Sequence, residues 1–238
     1  METIPCPLCR SDRAQPVYRL ADWQHGLGGP FTMVRCQECD LLYVNPRPDS
    51  VEMADYYPPD YRPYQRISPG RSNPLQQWGL EKRCRAVRRF ARTGRLLDVG
   101  CANGSFLARM RGRGDWELAG VEPDASAAER ARQQGLTVYQ APLAQVTLPS
   151  ESFDVVTLWD VLEHLPSPQD ALTRIRGWLR PGGWLVIRTP DADSPYARFF
   201  GRTWAGLDAP RHPVVFSRST LSRLLTECGF HVERMWAL

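Results

Sequence analysis

Between residues 95 and 189, short apolar runs alternate with segments whose apolar positions recur three and four apart, which predicts strands and helices in succession. Residues 95–99 read as a first strand that turns sharply at Gly100 and Gly104 and enters a helix over residues 105–111. Residues 116–121 form a second strand, 124–134 a helix closed by Gly135, and 137–139 a short third strand. A fourth strand is expected at 153–159, a helix at 169–180 stopped by Pro181-Gly182-Gly183, and a fifth strand at 184–189. Strands this continuously apolar are buried on both faces, which predicts a parallel sheet covered by helices, a doubly wound α/β fold. Right-handed crossovers then bring every loop after a strand to one edge of the sheet. That edge collects residues 100–104, Glu122, 140–143, 159–164 and 189–191. Residues 217–228 follow as a helix with Leu221, Leu224 and Leu225 inward and Gly229 as its stop, and 230–235 as a sixth strand.

The first 80 residues break this pattern. Cys6-Pro7-Leu8-Cys9 and Cys36-Gln37-Glu38-Cys39 form two knuckles, each aiming two thiolates at one point, as tetrahedral zinc requires. The long spacing between them fits a hairpin with an inserted loop. Four unrelated thiols or two disulfides are the alternatives. So short a segment cannot bury much core alone, so metal binding would supply most of its folding energy. A closed four-cysteine set has no open coordination position, so the metal is expected to be structural. From residue 45 to 74 prolines exclude a long helix, while tyrosines at 56, 57, 61 and 64 offer docking surface. They are read either as packing in an interdomain seam or as a tyrosine closing over a ligand. Residues 75–93 have helical spacing and a basic face, Lys82, Arg83, Arg85, Arg88, Arg89 and Arg92. Such a face follows a phosphate backbone or, more commonly, is simply solvated.

Composition narrows the function classes. The chain has 238 residues, 42% of them hydrophobic, enough for one full domain and a small appendage. No apolar run reaches membrane-spanning length, and the N-terminus carries cysteines where a secretory signal would be basic and then apolar, so a cytoplasmic protein is expected. A net charge of +4 demands neither nucleic acid nor an anionic membrane as partner.

The glycine turn selects among cofactors. A dinucleotide fingerprint needs Gly-x-Gly-x-x-Gly, and Ala102 and Ser105 occupy the second and third positions. What stands instead is Asp98-x-Gly100-x-x-x-Gly104, then Gly120-Val121-Glu122-Pro123-Asp124. An acid ending the second strand accepts hydrogen bonds from both hydroxyls of a ribose. Without a multi-glycine phosphate cradle, the expected ligand is a nucleoside lacking phosphates, a description that S-adenosylmethionine fits.

Residues 97–104, 120–124, 153–166 (FDVVTLWDVLEHLP) and 179–190 (LRPGGWLVIRTP), in that order, resemble the successive motifs of class I S-adenosylmethionine-dependent methyltransferases. The likeness covers residues 81–236 and is greatest to the branch that includes the ubiquinone-type O-methyltransferases. The cysteine pairs followed by LLYVNPRP at 41–48 also resemble a subgroup with a zinc-ribbon head, which includes sugar C-methyltransferases. The resemblance implies a Rossmann-like fold in three parts: a zinc-ribbon-like module at 1–48, a connector at 49–80 and a catalytic domain at 81–238. It implies that Gly100, Cys101, Ala102, Asn103 and Gly104 face the methionine and ribose of the cofactor. Glu122, beside Pro123, would hold the ribose diol, and Asp98 would support the turn and the amino group. Residues 139–143 hold no acid for the adenine amine, which leaves backbone groups and Leu143; Trp159, Asp160 and His164 would complete the pocket. The family sheet normally carries a seventh, antiparallel strand, for which no segment remains here.

Methyl transfer is an in-line displacement that needs alignment at about 3–3.5 Å more than it needs side-chain chemistry. An oxygen or nitrogen acceptor also needs a proton acceptor, for which His164, Asp160 and His212 are the candidates, each histidine having a purely structural role as its alternative. Three functions follow: a methyltransferase acting on O, N or C of a small molecule, which leads; an RNA-base methyltransferase using the zinc head and the arginine-rich helix; and a non-catalytic binding module.

Overall fold

The computed structural model describes residues 1–58 and 73–236. They divide into two compact units, one of residues 1–58, 160–176 and 189–236, the other of residues 73–159 and 177–188. Tyr61 and Tyr64 of the expected connector lie outside the described residues.

In the first unit β1 (Ala14–Leu20), β2 (Phe31–Cys36) and β3 (Leu42–Val44) form an antiparallel meander, the hairpin expected between the cysteine pairs. A further strand, numbered β9 by its place in the chain (Val214–Val215), pairs antiparallel with β3 through Leu42 and Tyr43. The core packs Leu20, Phe31, Met33, Leu42 and Val44 against Leu207, Ala209 and Val215. The cysteine-bearing segment thus gets its hydrophobic core from chain some 170 residues away in sequence, and the unit extends past residue 48, where the sequence alone suggested a boundary. Residues 230–236 are irregular, against the sixth strand expected at 230–235. A strand persists only where a ladder satisfies its backbone groups, and no strand among the described residues pairs with this segment.

In the second unit β4 (Gly94–Val99), β5 (Trp116–Val121), β6 (Thr137–Tyr139), β7 (Phe153–Trp159) and β8 (Leu179–Arg188) form a wholly parallel sheet in the order β6-β5-β4-β7-β8. This is the α/β sheet that the apolar runs predict. Among the described residues three α-helices lie wholly in this unit: α1 (Pro74–Arg88), α2 (Ser105–Met110) and α3 (Ala125–Gln133). Asn73 caps α1, which ends at Arg88 short of the expected residue 93 and buries Cys84, Ala86 and Val87. Asp124 Oδ1 accepts the Ala127 N–H at 2.7 Å and caps α3. Helix α4 (Pro168–Trp178) runs from one unit into the other, and α5 (Pro195–Phe200) and α6 (Arg218–Glu227) belong to the first. Pro181-Gly182-Gly183, expected to stop α4, lies inside β8, where Gly182 at φ 76° accompanies a register shift against β7. No helix among the described residues is long and apolar enough to cross a membrane.

Candidate functional site

At the end of β4 the chain enters the left-handed region three times in five residues, at Gly100 (φ 71°), Ala102 (φ 47°) and Gly104 (φ 77°). A Cβ at Gly104 would overlap Leu136 and Ala131, and one at Gly120 would overlap Cys101, so both positions need glycine for packing, and Gly104 needs it for φ as well. Ala102 has no such freedom and is held from outside. Its N–H donates to Glu122 Oε2 at 2.8 Å, and Glu122 Oε1 accepts the Asp124 N–H at 2.9 Å. Gly100 and Cys101 donate to Val121 O at 2.8 and 3.1 Å. Glu122, at the end of β5, therefore clamps the turn that leaves β4. Burial pushes its pKa up, while the Asp124 and Ala102 amides restrain the rise. Each of its oxygens keeps a lone pair for a further donor.

Asp98 lies opposite Gly120 on one side and Thr157 on the other. The Thr157 hydroxyl donates to Asp98 Oδ1 at 2.6 Å. Burial raises the Asp98 carboxyl to about 7, with the Thr157 bond and the Arg83 charge pulling the other way. Trp159, at the end of β7, meets Phe106 edge-on with ring centroids 5.3 Å apart, and the Arg83 guanidinium lies 5.5 Å from the Trp159 ring centroid. Asn103 serves the start of α2, accepting from the Ser105 hydroxyl at 2.6 Å and from the Ser105 N–H at 3.2 Å. Pro123 is exposed, and the half-buried Leu143 opens a short turn at Leu143–Gln145 whose other two residues are exposed. Thr157, Gly120 and Arg83 were not singled out from the sequence as site residues. A threonine inside the apolar strand FDVVTLW was a readable signal for the first; Arg83 was one of several arginines on a basic helix.

The first unit holds a histidine cluster. Asp160, directly after β7, sits at φ 58°, a strained conformation for a non-glycine residue. His164 Nδ1 lies 2.8 Å from Arg211 O and 3.0 Å from the Tyr57 hydroxyl, and His212 Nδ1 lies 3.0 Å from Gly206 O. A carbonyl only accepts, so each Nδ1 carries the hydrogen and each Nε2 a bare lone pair. The two rings meet edge-on at 4.6 Å, and one ligand atom each from Glu163, His164 and His212 lies within 4.8 Å of the others. Burial lowers both histidine pKa values, that of His164 to about 3, so the imidazoles are neutral. Such a group suits either proton acceptance or cation coordination. Beneath it the buried Arg211 places all five N–H donors: two on Asp22, two on Asp208 and one on Tyr56 O. Burial opposes ionisation of Asp22, but Arg211 and the His25 and Leu27 amides outweigh it and hold the carboxyl at about 2. Nothing local in the sequence marks Asp22, Asp208 or Arg211 as partners.

The four thiols converge. Cys6 Sγ is 3.5 Å from Cys39 Sγ, Cys9 Sγ is 3.4 Å from Cys36 Sγ, and all four lie within 4.8 Å of one another. A tetrahedron with metal–sulfur distances of about 2.3 Å spaces its sulfurs about 3.8 Å apart, so the donor set fits. The knuckles match in backbone as well as spacing: Arg10 (φ 61°) and Asp40 (φ 62°) each turn left-handed directly after the second cysteine and donate N–H to Cys6 O and Cys36 O. All four cysteines are free of disulfides.

A methyltransferase-domain family model matches residues 75–234. The chain belongs to the S-adenosylmethionine-dependent methyltransferase family. Among curated relatives, the tRNA U34 carboxymethyltransferase of Methylococcus capsulatus is 36% identical over 150 residues, 59% of this chain and 46% of that protein. The enzyme of the same name from Azotobacter vinelandii is 34% identical over 140 residues, 52% of this chain and 44% of that protein. The chain thus spans less than half the length of these relatives. A crystal structure of a methyltransferase from Archaeoglobus fulgidus superposes with TM-score 0.56 at 23% identity, covering 65% of this chain and 69% of that one. At that identity the likeness shows the fold alone.

Proposed function

We propose that this chain moves a methyl group from S-adenosylmethionine to an RNA base. The observation that carries the donor half is the Glu122 clamp, a buried carboxylate tied to the left-handed turn through the Ala102 N–H at 2.8 Å with lone pairs to spare. Glu122 would take the ribose hydroxyls, Asp98 the amino group, Leu143 and nearby backbone the adenine, and Trp159 with Phe106 would exclude water. Bound S-adenosylmethionine supplies an electrophilic methyl group on a sulfonium. The chain's own part is alignment, together with removal of the acceptor's proton, for which His164 Nε2 and His212 Nε2 are the proposed acceptors. The four thiols are proposed to hold a structural zinc, in keeping with a closed set of four sulfur donors.

The RNA acceptor is supported by the relatives named for acting on tRNA. A small-molecule acceptor is the second reading, favoured by the nearly balanced charge of +4 and by the limited share of those relatives that this chain spans. A labelled-methyl screen across total RNA and small metabolites separates the two. Label in RNA supports the first reading, and label confined to metabolites replaces it with the second. Calorimetry tests the donor: Glu122→Ala is expected to weaken S-adenosylmethionine binding at least tenfold, and no binding by the parent chain would defeat both enzymatic readings.

A further inference from the structure

Residues 195–204 present a surface that the residues described above do not use. Ser194 caps α5 by accepting the Ala197 N–H at 3.1 Å, Pro195 opens it, and Gly201 at φ 51° ends it after Phe200. On this fixed turn Tyr196 is 70% exposed, Phe199 83% and Phe200 48%. Phe199 and Phe200 meet edge-on with centroids 5.0 Å apart. Arg198 and Arg202 are exposed between and beside these rings, and neither makes an ion pair among the described residues; of the two acids in the preceding loop, Asp191 is held by Arg218 at 3.0 Å and Asp193 is exposed. Contiguous exposed aromatics do nothing for the fold and mark a site of interaction.

We propose that this surface is a stacking platform for unpaired bases of an RNA, with Arg198 and Arg202 on the flanking phosphates; the proposal rests on the RNA-acceptor reading. Rings interleaved with guanidinium groups are what a single strand needs, since every base offers a π-face and every linkage a negative charge. The alternative of a bilayer surface is less well served. Six residues rise only about 9 Å, and Arg198 and Arg202 flank the Phe199–Phe200 pair in sequence, leaving little continuous apolar face to immerse.

The test is fluorescence anisotropy of the full chain with a labelled oligouridylate of about 12 nucleotides and with bulk transfer RNA, at salt from about 50 to 200 mM. Tyr196→Ala/Phe199→Ala is expected to weaken binding about tenfold or more at every salt concentration without changing the salt slope. Arg198→Ala/Arg202→Ala is expected to lower the slope by about 1.4, near 0.7 for each phosphate contact removed from a single strand. All four side chains are exposed, so circular dichroism and S-adenosylmethionine affinity should be those of the parent. Parental RNA affinity and slope in both variants would overturn the platform while leaving the RNA reading standing. Failure of the parent to bind either RNA would remove that reading and the platform with it. A loss of binding to phosphatidylglycerol vesicles, with RNA binding intact, would reassign the surface to lipid and overturn the proposal.

Discussion

Asp98 is a carboxylate on the central strand of a parallel sheet, 2% exposed, with a threonine hydroxyl on one side and a glycine on the other. Its folded pKa of about 7 lies above the unfolded value of about 3.9. The folded state therefore keeps the proton longer, and this group's contribution to stability falls as pH rises from about 4 to about 7. His164 acts with the opposite sign. Held at about 3 in the fold against about 6.5 unfolded, it withdraws stability as pH falls below about 6.5. Thermal melts of the Asp98→Asn chain across this range should lose the first slope and keep the second. If Asp98 pairs with the cofactor's amino group, S-adenosylmethionine affinity should rise with pH through about 7 in the parent and stay flat in Asp98→Asn, as read by calorimetry between about pH 6 and 8. Gly104 is the other decisive residue, because its φ of 77° and the Leu136 and Ala131 side chains leave no place for a methyl group. Gly104→Ala should cost about 1–3 kcal/mol in denaturant melts and weaken donor binding, since the strain falls on the turn itself.

The antiparallel sheet shows how a short segment acquires a core. Its knuckles bring four thiols together, yet its buried face is completed by Leu207, Ala209 and Val215, and β3 is flanked by the two-residue β9. With zinc on the thiols, as proposed, metal and packing would share the task of holding the first unit. Metal analysis of the purified chain is expected to find one zinc per chain, and Cys36→Ser to lower that content and the melting temperature together. A chelator should do the same to the parent and leave Cys36→Ser less affected. The absence of a strand at residues 230–236 follows the same logic in reverse. Phe230, Val232 and Met235 offer an apolar pattern, but a pattern without a neighbouring strand gives no ladder, and backbone groups bonded to water do not select an extended form.

Arg211 ties segments 189 residues apart, joining Asp22 to Asp208 and reaching Tyr56 O. Its own carbonyl accepts from His164 Nδ1, so the same residue that holds the first unit also sets the tautomer of a histidine in the candidate site. Asp22→Ala leaves a buried guanidinium short of a counter-ion and is expected to cost about 3–5 kcal/mol in urea melts. Replacing Asp22, Asp208 and Arg211 together with apolar residues should cost less than the sum of the three single changes, because no buried charge is then left alone.

The parallel sheet, the glycine turn with Glu122, and the four thiols were legible in the sequence because each rests on local signals: apolar runs of strand length, glycines at a turn, cysteines three apart. Hydrophobic periodicity and backbone freedom act over a few residues, so a linear reading captures them. Other features depended on the folded chain. Thr157 becomes the partner of Asp98 only through the β4–β7 register, Arg83 approaches Trp159 only once α1 has docked, and Asp22 meets Arg211 across most of the chain. The extent of the first unit, the pairing of β9 with β3, and the irregular course of residues 230–236 were likewise decided in three dimensions. Each requires segments distant in sequence to be neighbours in space, and the energy of such pairing belongs to both partners together, so neither stretch alone announces it.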